Sequence, residues 1–329
     1  MSQSTESFAA KRSPRQNIVV AIPFTDLQRE RLTHVAPEAV FSFNGKDTAS
    51  ASDVASASIV MGNLSPALLS SATGLQWVQL ASAGADAYTA PGALDTSVAL
   101  TNSVGAYGQA VSEHMLALLL SLIKKLNLYR DTQSVHRWTD HGGVKSLVGA
   151  SVVILGLGDI GTHMASLLTA LGAHVVGIRR HVPASLPPHV ERVLTLDQAR
   201  ADGTLSHADV VVSFLPGGGT THHLLDAEFF TSMKPGSYFL NGGRGSVVDT
   251  DALREAVVSD HLAGAGLDVT DPEPLPATDP LWDVDNVFVT PHVAGGYHLP
   301  AVLDNVADIC VANLRRFLAG EALHNVVKH

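Results

Sequence analysis

The chain has 329 residues, of which 46% are hydrophobic and 16% charged. That length points to two domains, and that balance argues against a disordered chain. A formal net charge of −10 argues against nucleic-acid binding through a basic surface. The single cysteine, Cys310, excludes an intrachain disulfide framework and any CxxC metal site, so it reads as a buried core thiol in a reducing compartment; no metal is expected.

Residues 1–16 contain no apolar stretch, so they do not read as a secretory signal. A floppy tail is expected there, with a transit peptide as the lesser alternative. Short apolar runs then alternate with helical stretches. Residues 17–22 (NIVVAI), 39–43, 57–61, 75–80 and 98–102 read as buried strands, and 26–36 and 65–72 as helices between them. The longest apolar run, residues 115–123, is about half a membrane span. It is expected inside one buried helix from Gln109 to Tyr129, and the protein is expected to be cytoplasmic. A second series follows. Strands are expected at 150–156, 174–178, 209–214, 237–241, 263–269 and 286–290, with helices at 159–172 and 299–320. Alternating β and α elements imply parallel sheets covered on both faces.

The strand ASVVILG runs into GLGDIG, which opens a helix. A lone GxGxxG is weak; between a strand and a helix it is a dinucleotide-binding turn, though a plain glycine-rich turn stays possible. Gly156 permits the turn, Gly158 lets backbone approach a pyrophosphate, and Gly161 lets the helix pack on the strand. With Asp159 and Ile160 they present a helix N-terminus to the phosphates. The next strand ends in Arg179, Arg180 and His181, where an NAD site usually has a carboxylate. A guanidinium pairs with a 2′-phosphate, so NADP(H) is favoured over NAD(H). The alternative is two solvated arginines.

Residues 240–253 (LNGGRGSVVDTDAL), 266–282 (GLDVTDPEPLPATDPLW) and 289–296 (VTPHVAGG), together with GLGDIG, resemble the D-isomer-specific 2-hydroxyacid dehydrogenase family, as do 81–86 (ASAGAD) and 110–114 (AVSEH). The resemblance covers about residues 75–300 and is of the glyoxylate/hydroxypyruvate reductase type. It implies that His292 is the proton donor to the keto oxygen, that Glu273 stabilises its imidazolium, and that Arg244 holds the substrate carboxylate. It also implies that Asp268 contacts the nicotinamide carboxamide and that Leu215, Pro216, Thr221, Gly242 and Gly243 line the cofactor. Ser82, Ala83 and Gly84 match the substrate loop, whose backbone N–H groups suit a carboxylate. Each residue alone has a duller reading, as a salt bridge, a loop carboxylate, a buried histidine or a glycine turn.

Departures from the pattern stand out. Gly218 occupies a place where threonine is frequent, which removes a hydroxyl and loosens the loop. His222 and His223 follow it and face either solvent or a phosphate. No stretch is left for a regulatory domain, so a long-type phosphoglycerate dehydrogenase is disfavoured.

The expected architecture is α/β with two doubly wound domains: a Rossmann cofactor domain over 103–292, inserted in a flavodoxin-like substrate domain of 1–102 and 293–329, with the active site in the cleft between them. The expected function is reversible reduction of a small 2-keto acid to a D-2-hydroxy acid with NADPH. Alternatives are a dinucleotide-sensing corepressor on the same fold and an NAD-dependent enzyme oxidising a D-hydroxy acid. A homodimer is expected through residues 132–147, with Trp138 packed in a core rather than reaching a partner's pocket.

Overall fold

A computed structural model of the chain describes residues 15–45 and 48–329; the N-terminal tail expected over 1–16 lies almost wholly outside them. The described residues form two compact units, one within Met1–Ala106 and Tyr297–His329, the other Tyr107–Gly296. Both divisions fall a few residues beyond those expected at 102 and 292. Among the described residues no helix is long and apolar enough to cross a membrane.

In the first unit five short runs form parallel strands: β1 (Asn17–Val20), β2 (Val40–Phe43), β3 (Ile59–Met61), β4 (Trp77–Gln79) and β5 (Ala99–Thr101). Their order is β2-β1-β3-β4-β5, the flavodoxin-like arrangement. Val19, Val60, Val78 and Leu100 bury one face of this sheet. Thr25 and Gln28 form a reciprocal cap on the helix Asp26–Val35. Gln28 Nε2 then donates to Asp304 Oδ1 at 2.7 Å, which ties that helix to the C-terminal helix Pro300–Ala319. The C-terminal helix is also fixed to the sheet. Buried Asn313 donates to Gln79 Oε1 at 2.9 Å, and Phe317 stacks on Trp77 with centroids 5.3 Å apart. Cys310 is fully buried on this helix, and burial pushes its thiol up to about 12.

The second unit carries seven parallel strands: β6 (Ser151–Leu155), β7 (His174–Ile178), β8 (Arg192–Leu194), β9 (Val210–Ser213), β10 (Ser237–Asn241), β11 (Leu262–Leu267) and β12 (Val287–Val289). Their order is β12-β11-β10-β9-β6-β7-β8. This is a Rossmann sheet with one extra edge strand, and its topological switch point lies between β6 and β9. Its core joins Val153, Leu155, Val211, Phe229, Phe239 and Ala265. β8 is not expected from the sequence. It is three residues long, with its first residue exposed and only the second fully buried, so it presents no periodic signal.

The structure departs from two expectations. The single helix expected from Gln109 to Tyr129 is two helices, Gly108–Ile123 and Leu126–Ser134. Lys125 takes a left-handed φ of 58° between them. Lys124 Nζ donates to Lys145 O at 2.6 Å, Lys145 N donates to Ile123 O at 3.1 Å, and Lys125 Nζ donates to His141 O. These bonds turn the chain where hydrophobicity alone would carry a helix onward. Trp138 is not in a core: its relative exposure is 103%.

Asp209 lies beside the base of this sheet. Its carboxylate accepts from Lys234 Nζ at 2.6 Å and from Ser151 N at 3.0 Å. Burial would raise its carboxyl; the Lys234 and Ser151 hydrogen bonds and the Lys234 and Lys145 charges outweigh burial and hold it below the ordinary 3.8. A depressed folded-state carboxyl stabilises the fold above the unfolded value and loses that contribution as pH falls through the folded one. Asp209→Asn is therefore expected to cost about 1 kcal/mol at neutral pH, with the difference from wild type closing in acid. Urea unfolding of both proteins across pH checks this; a difference independent of pH would contradict it.

Candidate active site

The strand ends of the second unit fall in one row. Val289 pairs with Leu267, Leu267 with Asn241, Asn241 with Ser213, Ser213 with Leu155, and Leu155 with Ile178. The residues singled out by sequence in this unit follow that row: His292 after β12, Asp268 after β11, Arg244 after β10, Leu215 after β9, Gly156 after β6 and Arg179 after β7. Strands are spaced about 4.8 Å apart, so the ends of β10 and β12 lie about 10 Å apart. The carboxyl edge of a parallel sheet at its switch point is where such folds bind ligands.

The glycine turn has the shape a dinucleotide needs. Gly156 has φ 94°, and a Cβ on Gly161 would sit 2.0 Å from Gly156 O. Only hydrogen lets the helix Asp159–Ala170 approach β6 this closely. A Cβ on Gly158 would meet nothing within 4 Å, so this position opens to space at the helix N-terminus. Asp159 and Ile160 are half-buried in the first turn, and Asp159 Oδ1 lies 3.4 Å from His163 Nδ1. Backbone N–H groups facing an open approach fit a pyrophosphate.

Arg179, Arg180 and His181 are exposed after β7. Among the described residues no carboxylate pairs with either arginine. Arg180 Nη2 reaches Thr220 Oγ1 at 3.5 Å, which joins the end of β7 to the loop after β9. In that loop Thr221 Oγ1 donates to Pro216 O at 2.8 Å. The loop expected to be loosened at Gly218 is thus closed on itself by a buried hydroxyl. Leu215 is half-buried above the core. Gly242 and Gly243 are packing positions: a Cβ on Gly243 would lie 2.5 Å from Leu215 O, and one on Gly242 3.0 Å from Met115 and Phe214.

Arg244 is half-buried and extended (φ −134°), with its Nη1 donating to Gly243 O at 2.9 Å. Asn241, fully buried, fixes the turn before it: Nδ2 donates to Arg244 O at 3.0 Å and Oδ1 accepts from Gly243 N at 3.2 Å. Gly245 follows because a Cβ there would lie 1.8 Å from Thr270 O. Asn241 O in turn accepts from Asp268 N at 3.0 Å, so the Arg244 turn and the Asp268 turn share one residue.

Asp268 is 3% exposed. Oδ1 accepts from Thr290 Oγ1 at 2.6 Å and from Val293 N at 3.0 Å, and Oδ2 accepts from Ala294 N at 3.0 Å. Its own carbonyl accepts from His292 N at 2.8 Å. His114 Nε2 approaches Thr290 Oγ1 at 3.0 Å from the helix Gly108–Ile123. One buried carboxylate therefore cages residues 290–294, and inside this cage His292 is held at φ 51°, a conformation a non-glycine residue rarely adopts. His292 Nδ1 meets Glu273 Oε1 at 2.6 Å. In that contact Nδ1–H donates to the carboxylate, which leaves Nε2 for another partner. The histidine and glutamate side chains are 45% and 42% exposed, so the pair is open to a ligand.

In the first unit Ser82, Ala83 and Gly84 follow β4. Asn63, after β3, accepts from Ala81 N at 2.9 Å and Ser82 N at 3.3 Å, and its Nδ2 donates to Ser82 Oγ at 2.8 Å. Ser82 Oγ donates to Gly84 O at 2.6 Å, and Asn102 Nδ2 donates to Ala83 O at 2.7 Å. The loop is preformed at the carboxyl end of its sheet. Asn63 and Asn102 escape sequence reading because each acts across about 20 residues with no motif around it.

Residues 116–294 match the family model of the D-isomer specific 2-hydroxyacid dehydrogenase, NAD binding domain. The chain is 31% identical over 81% of its length to the glyoxylate/hydroxypyruvate reductase B of Pectobacterium carotovorum subsp. carotovorum (strain PC1), covering 83% of that protein. It is 32% identical over 79% of its length to the D-3-phosphoglycerate dehydrogenase of Mycobacterium leprae (strain TN), but spans only 48% of that protein. Its fold superimposes on a D-isomer specific 2-hydroxyacid dehydrogenase from Xanthobacter autotrophicus Py2, solved in complex with NADPH and MES, with TM-score 0.80 and 30% identity, covering 95% of this chain and 98% of that one. The chain belongs to the D-isomer-specific 2-hydroxyacid dehydrogenase family, and its second unit is a nicotinamide-dinucleotide-binding domain of that family.

Asp268→Ala would leave Thr290 Oγ1 and two backbone N–H groups without their acceptor. It is expected to cost about 2–4 kcal/mol. Denaturant unfolding checks the cost; a loss within experimental error would show that residues 290–294 are held by other contacts.

Proposed function

We propose that this protein reduces a small 2-keto acid of the glyoxylate or hydroxypyruvate type to its D-2-hydroxy acid, reversibly, with NADPH as the preferred donor. The observation that carries this reading is the 2.6 Å His292–Glu273 pair, set on the same sheet edge as Arg244 and the glycine turn. The dinucleotide, when bound, supplies a hydride to the keto carbon. Gly156, Gly158 and Gly161 would seat its pyrophosphate, with Leu215, Pro216 and Thr221 on the adjoining loop. Arg244 holds the substrate carboxylate with its planar fork and polarises the keto oxygen. His292 Nε2 delivers the proton to that oxygen, and Glu273 holds the ring in register and offsets the imidazolium charge. Asp268 contributes through the cage that carries His292. The Ser82–Ala83–Gly84 backbone is the proposed second anchor for the carboxylate.

The preference for NADPH rests on Arg179 and Arg180, exposed and, among the described residues, without a carboxylate partner at the end of β7, where a 2′-phosphate gains charge-assisted bonds and a carboxylate would repel it. His292→Ala is expected to lower turnover about a hundredfold or more while leaving cofactor affinity within a few-fold of wild type. Arg179→Asp is expected to lower the NADPH-over-NADH ratio of kcat/KM about tenfold. Steady-state kinetics with glyoxylate, hydroxypyruvate and bulkier 2-keto acids checks both. Unchanged turnover in His292→Ala removes the proton-donor role. Tight cofactor binding with no turnover across the panel favours a dinucleotide sensor, and faster oxidation of a hydroxy acid with NAD favours the oxidising enzyme.

The same reading includes a homodimer. Val135, Trp138, Val144 and Val148 are exposed in the segment after the helix Leu126–Ser134, an apolar display that suits burial against a second copy. Light scattering is expected to give a dimer mass, shifted toward monomer by Trp138→Ser; a monomer in the wild type would refute it.

A further inference from the structure

The geometry points to a divalent transition-metal site formed by His222, His223 and Asp271, in a chain whose sequence suggests no metal. The ligand atoms these three residues offer all lie within 4.8 Å of one another. His223 Nε2 is 3.8 Å from Asp271 Oδ2, and the two imidazoles stack with centroids 4.1 Å apart and planes 26° apart. Zn²⁺ binds nitrogen and carboxylate oxygen at about 2.0–2.2 Å, which places tetrahedral ligands about 3.3 Å apart. Both histidines are exposed and Asp271 is half-buried, so one imidazole is free to swing out of the stack, the rotation needed for both ring nitrogens to converge with the carboxylate on one ion.

The backbone on both sides of the cluster is fixed. His223 takes φ 47°, and its N–H donates to Ser246 O at 2.9 Å. Asp271 O accepts from Thr250 Oγ1 at 3.0 Å. Two nitrogen donors and one carboxylate form the donor set that imidazole-preferring metals such as Zn²⁺, Ni²⁺ and Cu²⁺ take, with water completing the shell. A lone carboxylate cluster would suit Ca²⁺ or Mg²⁺ instead. The carboxylate among these ligands also disfavours the phosphate that His222 and His223 were expected to face as one option. A bound ion would join residues 216–223, after β9, to residues 271–273, which carry Glu273. The site stands on its own residues and does not depend on which keto acid or nucleotide the enzyme uses.

The test is calorimetric titration of Zn²⁺ into tag-free, chelator-stripped protein. One saturable Zn²⁺ per chain is expected, with affinity at least about tenfold weaker in His222→Ala and in His223→Ala. Affinity should stay unchanged in His174→Ala, which removes the separate His174–Glu191 pair, and in His292→Ala, which removes the His292–Glu273 pair. Visible absorption after Co²⁺ addition to the wild type should show nitrogen-ligated cobalt bands, and His222→Gln gives a milder variant if an alanine disturbs folding. No saturable Zn²⁺ binding, wild-type affinity in the His222 and His223 variants, or loss of binding in His292→Ala would each overturn the assignment.

Discussion

The buried carboxylate of Asp268 is the constraint on which the site depends. Removing a carboxylate from water is costly unless its lone pairs are used. Here they are used on Thr290 Oγ1 and on the N–H groups of Val293 and Ala294, and each of those bonds fixes the segment around His292. The backbone of Asp268 works in the same direction, donating to Asn241 and accepting from His292. The ends of β10, β11 and β12 are thereby joined through one residue. A histidine in a left-handed conformation is held there because the surrounding hydrogen bonds determine it more strongly than its own backbone preference opposes it.

The sheet supplies the rest of the placement. In a parallel sheet, loops leave every strand at the same edge, so strand pairing gathers residues far apart in sequence. The glycine turn, the arginines after β7, the Arg244 turn and the His292 segment belong to different βα units, yet they follow one register row. Fold-level physics thus explains where the groups sit, while the identity of each side chain decides what they can do.

Much of this was legible in the sequence, for a physical reason in each case. Strands such as SVVIL and SYFLN are short, apolar and bounded by turn residues, and the structure trims their expected ends by one or two residues at most. GLGDIG was readable because steric demands at Gly156 and Gly161 are local. The failures are equally physical. The break at Lys124 and Lys125 depends on carbonyls from residues 141 and 145, which no helical periodicity reports. β8 is too short to carry a pattern. Trp138 is large and apolar, and composition alone assigned it to a core it does not occupy. The structural role of Asp268 was not legible either, because its hydrogen-bond partners lie 22 to 26 residues further on and are mostly backbone. Long-range hydrogen bonding to the main chain leaves no trace in residue type, which is also why Asn63 and Asn102 were missed.

The fold holds His292 with Nδ1 bonded to Glu273, which leaves Nε2 as the nitrogen proposed to serve the substrate. Nitrogen-15 NMR of histidine-labelled protein tests it most directly. A downfield N–H proton coupled to Nδ1 of His292 is expected, lost in Glu273→Gln while the fold persists. A proton found on Nε2 alone, or an Nδ1 signal indifferent to the loss of the Glu273 charge, would contradict it.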